Sequence, residues 1–224
     1  MPKTTTSRSA LLLHPSQGTP GPQDSSIGGP LLWPADEAWP CCSVPDDQEP
    51  SGETAVAMVP VAQFHRRDVP GEWWPEDVDL LQVLWCPNEH WDEAPEWQAE
   101  GGPMVEVRWR RAADMAGLQG QVGPGPERAE EELVPRACTF TVELADDKAD
   151  DAVSRYDVWK LGGFPRWCIT DPAVFRCGVC DRETELLFAV SSGDVTGVDV
   201  GRAGELWLFR CPVDHRHGLK AHLH

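Results

Sequence analysis

Cys177 and Cys180 are separated by two residues in "FRCGVC", and Cys211 and His215 bracket the later phrase "CPVDH". A CxxC turn brings two thiolates onto one metal ion, and a Cys and a His with three residues between them supply a second pair. Together Cys177, Cys180, Cys211 and His215 make a closed tetrahedral set of the Cys3His type, the chemistry of one structural zinc ion. The Gly between the first two cysteines is read as relaxing the backbone of that turn. His217 competes for the fourth position, and "HRHGLKAHLH" holds four histidines in all, otherwise readable as a flexible tail. Two other readings stay open: reduced, buried thiols, or a redox pair. The redox pair is disfavoured because the CxxC does not sit between a strand and a helix.

The closing phrase occurs twice. "CPNEH" at 86–90 follows "LQVLW", as "CPVDH" follows "LWLF". Upstream of the first copy, Cys41 and Cys42 are adjacent, and in an extended chain their side chains point to opposite faces. Only one of them can join Cys86 and His90. Three protein ligands resemble a catalytic zinc site with an open position, but a degenerate, metal-free copy is the preferred reading.

The elements around these residues repeat. "IGGPLLWPADEAWPCC", "AVAMVPVAQF" and "DVDLLQVLWCPNEH" run parallel to "LGGFPRWCITDPAVFRCGVC", "ETELLFAVSS" and "GELWLFRCPVDH". Gly28-Gly29 matches Gly162-Gly163, Trp33 matches Trp167, Cys86 matches Cys211, and the first half carries a loop insertion, "PDDQEPSGET". Ordered features in common mark an internal repeat. Strands are expected at 56–64, 78–86, 104–111, 138–144, 184–191 and 205–211, several of them alternating as in "VEVRW". Helices are expected at 146–161, with acids at its start, and at 126–133. Residues 1–24 read as a disordered leader, 25–111 as the first half, 112–145 as linker and connecting strand, and 146–224 as the second half. The fold class is thus a β-rich α+β protein, two pseudo-repeated antiparallel sheet halves in one compact domain.

The 224 residues carry a formal charge of −18, with 11 Trp against one Tyr and 21 Pro with 20 Gly. Such an acidic surface repels phosphate backbones and suits a basic partner. The Gly-Gly segments lack phosphate-loop spacing and read as tight turns that fold a Trp back on the sheet. Trp33, Trp39, Trp167 and Trp207 read as core. In "GEWWPEDVD", Trp73 and Trp74 lie among Glu72, Glu76, Asp77 and Asp79, so an exposed aromatic pair there could take a Lys- or Arg-rich segment. No apolar run is long enough to cross a membrane. The leucine triplet near the start is too short for a signal-peptide core, so the eight cysteines are placed in the cytoplasm, where clustered cysteines more often hold metal than form disulfides.

"IGGPLLWP", "VPVAQF" and "DLLQVLWC" resemble the YwqG-like family (domain of unknown function 1963): Ile27–Pro30, Ala62-Gln63 and Leu81-Gln82 stand where that family has its Gly-Gly-x-Pro, Ala-Gln and Leu-Gln elements. The second half is also similar to the opening of the programmed-cell-death-2-like proteins, with Gly-Gly-x-Pro-x-Trp and a CxxC. It departs from them in ending on Cys-x-x-x-His. That resemblance implies, by analogy, a dedicated chaperone of a basic ribosomal protein. The expected function is a protein-binding module holding a basic partner, chaperone- or immunity-like. The alternative is a zinc-dependent hydrolase using Cys86, His90 and a nearby cysteine.

Overall fold

The computed structural model describes residues 6–45, 54–91, 95, 101–115, 120–121, 123–152, 155–168 and 170–224. Ten strands form one sheet: β1 (Ser7–Gln17), β2 (Ser26–Ile27), β3 (Val59–His65), β4 (Leu80–His90), β5 (Gly102–Arg110), β6 (Cys138–Lys148), β7 (Trp159–Gly162), β8 (Glu185–Ser191), β9 (Glu205–Arg210) and β10 (Leu219–Leu223). Their spatial order is β10-β9-β8-β7-β1-β6-β2-β3-β4-β5, each neighbouring pair antiparallel.

That order has an internal two-fold relation. Exchanging each first-half strand with the strand five places later in the chain reverses the order and leaves it unchanged. The repeat is therefore a five-stranded unit, β1–β5 and β6–β10, and the two units trade their leading strands: β1 pairs with β7 of the second unit, and β6 pairs with β2 of the first. β1 and β6 pair with each other along their whole length, from Ser7 opposite Lys148 to Gln17 opposite Cys138. One continuous sheet results, and it nearly closes into a barrel.

Two expectations are corrected here. The fold is not α+β. Among the described residues there is no α-helix, only short 3-10 turns at Ala112–Met115, Glu131–Leu133 and His215–His217. The acids expected to open a helix at 146–161 instead end β6, because Asp147 turns inward to meet Lys160 on β7, an ion pair of 3.1 Å with both side chains buried. At 126–133 a single 3-10 turn forms, where Leu133 is buried and its carbonyl accepts from Trp85 Nε1 at 2.6 Å. A buried tertiary bond overrides a weak local propensity. The second correction concerns residues 1–24: Ser7–Gln17 is a central strand, not a disordered leader. Ala10 to Leu13 are consecutive buried residues because both faces of this strand are covered, the pattern of a central rather than a half-exposed strand.

Alternation along the strands makes two layers. Leu81, Val83 and Trp85 on β4 join Leu11, Leu13, Trp159, Leu187 and Leu208 in the main core. Leu84 and Cys86 face the other way, into a cluster with Leu31, Trp33, Cys42 and Met58. The second unit repeats this: Leu186, Trp207 and Phe209 pack outward against Trp167 and Phe175. The Gly-Gly turns serve this layer. Gly28, Gly162 and Gly163 all have positive φ, and a Cβ on Gly28 would come within 2.6 Å of the Pro135 and Arg136 carbonyl oxygens.

Candidate metal centres

Each unit gathers cysteines and a histidine on its outer layer, and the two groups stand in equivalent places. In the second unit Cys177 and Cys180 lie before β8 and Cys211 just after β9, so they meet at the open end of the β8–β9 hairpin. The Sγ atoms of Cys180 and Cys211 are 3.5 Å apart, and His217 Nδ1 lies 3.6 Å from Cys177 Sγ and 3.4 Å from Cys211 Sγ. All four donor atoms fall within 4.8 Å of one another, a set that can hold a metal ion. The turn supports the sulfurs with backbone donors: Val179 N–H points at Cys177 Sγ (3.5 Å) and Val213 N–H at Cys211 Sγ (3.4 Å). Gly178 has open space around it and no positive φ, so the turn does not depend on a glycine at that point.

The histidine in this group is His217, not His215. Asp214 caps the 3-10 turn His215–His217 by accepting from Arg216 N–H at 2.9 Å, and it also holds the Arg216 guanidinium. That turn carries the chain round so that His217 comes over the sulfurs. His215 instead lies against Trp109, ring centroids 5.7 Å apart. Cys-x-x-x-His spacing suggested the earlier residue; the competing His217 in the same phrase was the usable signal. Burial raises the Cys177 thiol, but the backbone N–H groups of Cys180 and Val179 and the neighbouring thiols outweigh it and bring the pKa down to about 6. The thiolate that a metal needs is therefore favoured at Cys177. Cys180 moves the other way. The backbone donor at Arg182 favours its thiolate, but burial and the adjacent Cys211 and Cys177 sulfurs raise it on balance.

The first unit brings Cys42, Cys86 and His90 together, again with donor atoms within 4.8 Å. Cys41 and Cys42 form a short ribbon with Val56–Ala57. As alternation requires, Cys42 is buried while Cys41 is exposed, with its thiol directed to the Trp39 carbonyl. Cys86 and His90 lie on the same strand. A regular strand would hold them roughly 13 Å apart at about 3.3 Å per residue. The register of β4 against β5 breaks between Trp85 and Glu89, and the two side chains come toward one point. His90 Nε2 lies 3.7 Å from Cys42 Sγ, and His90 Nδ1 donates to the Pro45 carbonyl at 2.8 Å. The Cys86 thiol beside Cys42 is the main cause, opposed by burial and helped by His90, that draws the Cys42 pKa to about 5.

The expected partner site does not present an aromatic face. Trp73 and Trp74 are 7% and 5% exposed and stack on each other with ring centroids 4.5 Å apart. Trp74 Nε1 donates to the Val69 carbonyl, and its ring meets the edge of Trp109. Both belong to the main core. Glu72, Glu76 and Asp77 remain exposed around them, an acidic rim without an accessible ring.

A feature that motif reading did not find lies where the sheet fails to close. β5 and β10 are its two edges. A cleft of about 790 Å³ separates them, walled by Val105 to Trp109 on one side and by Gly178 and His215 to Lys220 on the other. No protein-family model matches this sequence, and no curated protein is significantly similar to it. Among the described residues no helix is long and apolar enough to cross a membrane.

Proposed function

We propose that this chain is a protein-binding module of the cytoplasm, stapled by one structural zinc ion, that holds an extended segment of a basic partner in the seam between β5 and β10. The observation that carries the reading is the seam itself. Edge strands present backbone N–H and C=O groups that no neighbour in the sheet takes up, and an added strand is their natural partner. Val107, Trp109 and Leu219, half-buried against the main core, line this cleft and offer apolar contacts for alternate side chains of the incoming segment.

Charge supports the same partner. Arg108 is engaged by Glu106 and Glu37, and Arg216 by Asp214, so the cationic groups on the walls are largely answered from within. The whole-chain charge of −18 then dominates at long range and draws in a positive protein. Cys177, Cys180, Cys211 and His217 are the residues that would hold zinc. Because Gly178, His215 and His217 also line the cleft, the ion would keep the β10 wall in shape. The hydrolase alternative draws on the three-donor first cluster, but Cys42, Cys86 and His90 are all buried, which favours binding over substrate turnover. The resemblance of the second half to programmed-cell-death-2-like proteins points the same way by analogy.

The test is capture of a basic partner by the full chain, compared with a Val107→Asp, Leu219→Asp variant and across a salt series. Recovery that falls with salt and is lost in the variant supports the reading. Recovery unchanged at high salt removes the electrostatic part, and an unaffected variant removes the seam.

A further inference from the structure

We infer that Cys42, Cys86 and His90 form a second metal site, for a thiophilic d10 cation, so that the chain carries two ions and not one. The count of two rests on the second-unit zinc proposed above, while the first-unit site does not rest on the partner. Three observations support it. The first is orientation. A backbone carbonyl can only accept, so the bond from His90 Nδ1 to Pro45 O places the ring proton on Nδ1 and leaves the Nε2 lone pair directed at Cys42 Sγ. This is the arrangement by which protein carbonyls hold metal-ligating imidazoles.

The second is placement. Cys42 comes from the segment between β2 and β3, Cys86 from β4, and His90 from the end of β4 that leads to edge strand β5. Cys177 and Cys180 come from between β7 and β8, Cys211 from the end of β9, and His217 from the approach to edge strand β10. The internal two-fold relation carries one set onto the other. The third is burial. Cys86 and His90 are wholly inaccessible and Cys42 is 4% exposed, yet two thiols and an imidazole converge where the surrounding cluster is apolar. Two sulfurs and an imidazole nitrogen gathered at one point are the donor types that a soft or borderline cation takes up together.

Two thiolates and one imidazole select Zn(II) or Cu(I) over hard cations. Three donors leave tetrahedral Zn(II) one position to fill with water or a small thiol, while Cu(I) is content with three. The tested species is the full chain, stripped of metal and titrated separately with Co(II) as a zinc probe and, without oxygen, with Cu(I). Bound metal is read by mass spectrometry and by thiolate-to-cobalt absorption. The wild-type chain should take up two ions, with the first-unit ion removed by a competing chelator before the second-unit ion. His90→Gln and Cys86→Ser should each drop the stoichiometry from two to one, and Cys41→Ser should leave it at two. Uptake of a second equivalent as Co(II) identifies the four-coordinate site, and uptake only as Cu(I) identifies the three-coordinate one. The inference is overturned if the folded wild-type chain saturates at one equivalent of both probes and His90→Gln keeps it, or if a His90→Gln chain still binds two; a single equivalent that His90→Gln removes upholds the first-unit site and overturns the second-unit ion instead.

Discussion

The second-unit centre offers a metal four donors, two of them partly exposed, whereas the first-unit cluster offers three, all buried. The difference begins with one spacing. Two residues between Cys177 and Cys180 make a turn that points both sulfurs inward, while the adjacent Cys41 and Cys42 are bound to diverge. A second difference follows at the histidine. The Asp214 cap makes a 3-10 turn that delivers His217 over the sulfurs, whereas in the first unit a register shift of the strand itself between Trp85 and Glu89 delivers His90. Two copies of one phrase thus reach the same kind of site by different backbone routes. The comparison shows that equivalence within the fold, more than identity of spacing, decides which residues meet.

Breaking the four-donor side should give the largest effect. Cys211→Ser or His217→Ala should remove the larger part of the response of the unfolding midpoint to chelator, while His215→Ala should leave it intact. Structural zinc is worth about 10–16 kcal/mol in isolated finger peptides. In a chain with a large core of its own, a loss on the order of 5 kcal/mol is expected, measured by denaturant unfolding with and without chelator. Retention of the chelator response in His217→Ala together with its loss in His215→Ala would restore the ligand set first read from the phrase.

The next effect tests the Gly-Gly corners of the two units. Lys160 precedes Leu161-Gly162-Gly163 in the second, and Ser26 precedes Ile27-Gly28-Gly29 in the first; both are buried. Lys160 Nζ also donates to the Phe164 carbonyl at 2.6 Å, and Asp147 Oδ2 accepts from Phe164 N–H at 2.8 Å. Lys160→Met would leave a buried carboxylate without its cation and should cost about 3–5 kcal/mol. Ser26→Ala should change stability by less than about 1 kcal/mol, since among the described residues its hydroxyl has no hydrogen-bond partner. Equal costs in the two variants would show that the corners are held in the same way.

The smallest effect is in pH. Burial lowers the pKa of His65 in the first unit and of His222 and His224 in the second below the ordinary 6.5. Each is held neutral when folded and takes a proton more readily when unfolded. The unfolded chain therefore binds more protons in the window between each depressed folded pKa and 6.5, and stability declines as pH falls through that window. His65→Leu should flatten part of this decline, measured as unfolding free energy against pH in the presence of chelator, so that the metal centres do not contribute. A decline unchanged in His65→Leu would assign it to the second unit alone.

Several features were legible from residues alone. Strands expected at 56–64, 78–86, 104–111, 184–191 and 205–211 overlap β3, β4, β5, β8 and β9, because alternation and turn residues report local geometry directly. The repeat was visible in Gly-Gly, Trp and Cys-Pro. Less legible was everything that depends on a distant partner. β1 reads as a polar leader with a short leucine run until β6 and β7 are placed on either side of it. The helix expected at 146–161 fails for the same reason, since Asp147 answers to Lys160 rather than to a helix N-terminus. The burial of Trp73 and Trp74 depends on where their loop lands, and their acidic neighbours gave no sign of it.

By itself, then, the chain's order of residues determined which segments extend, where they turn, that they recur, and which donor types cluster near each closing phrase. Those properties follow from backbone sterics and side-chain alternation over a few residues. Tertiary structure alone decided that the units exchange β1 and β6, that β5 and β10 stop short of pairing, and that His217 rather than His215 joins Cys177, Cys180 and Cys211. These outcomes rest on contacts between residues far apart in the chain. Their free energies come from burial and pairing across the whole sheet, and no local window contains both partners.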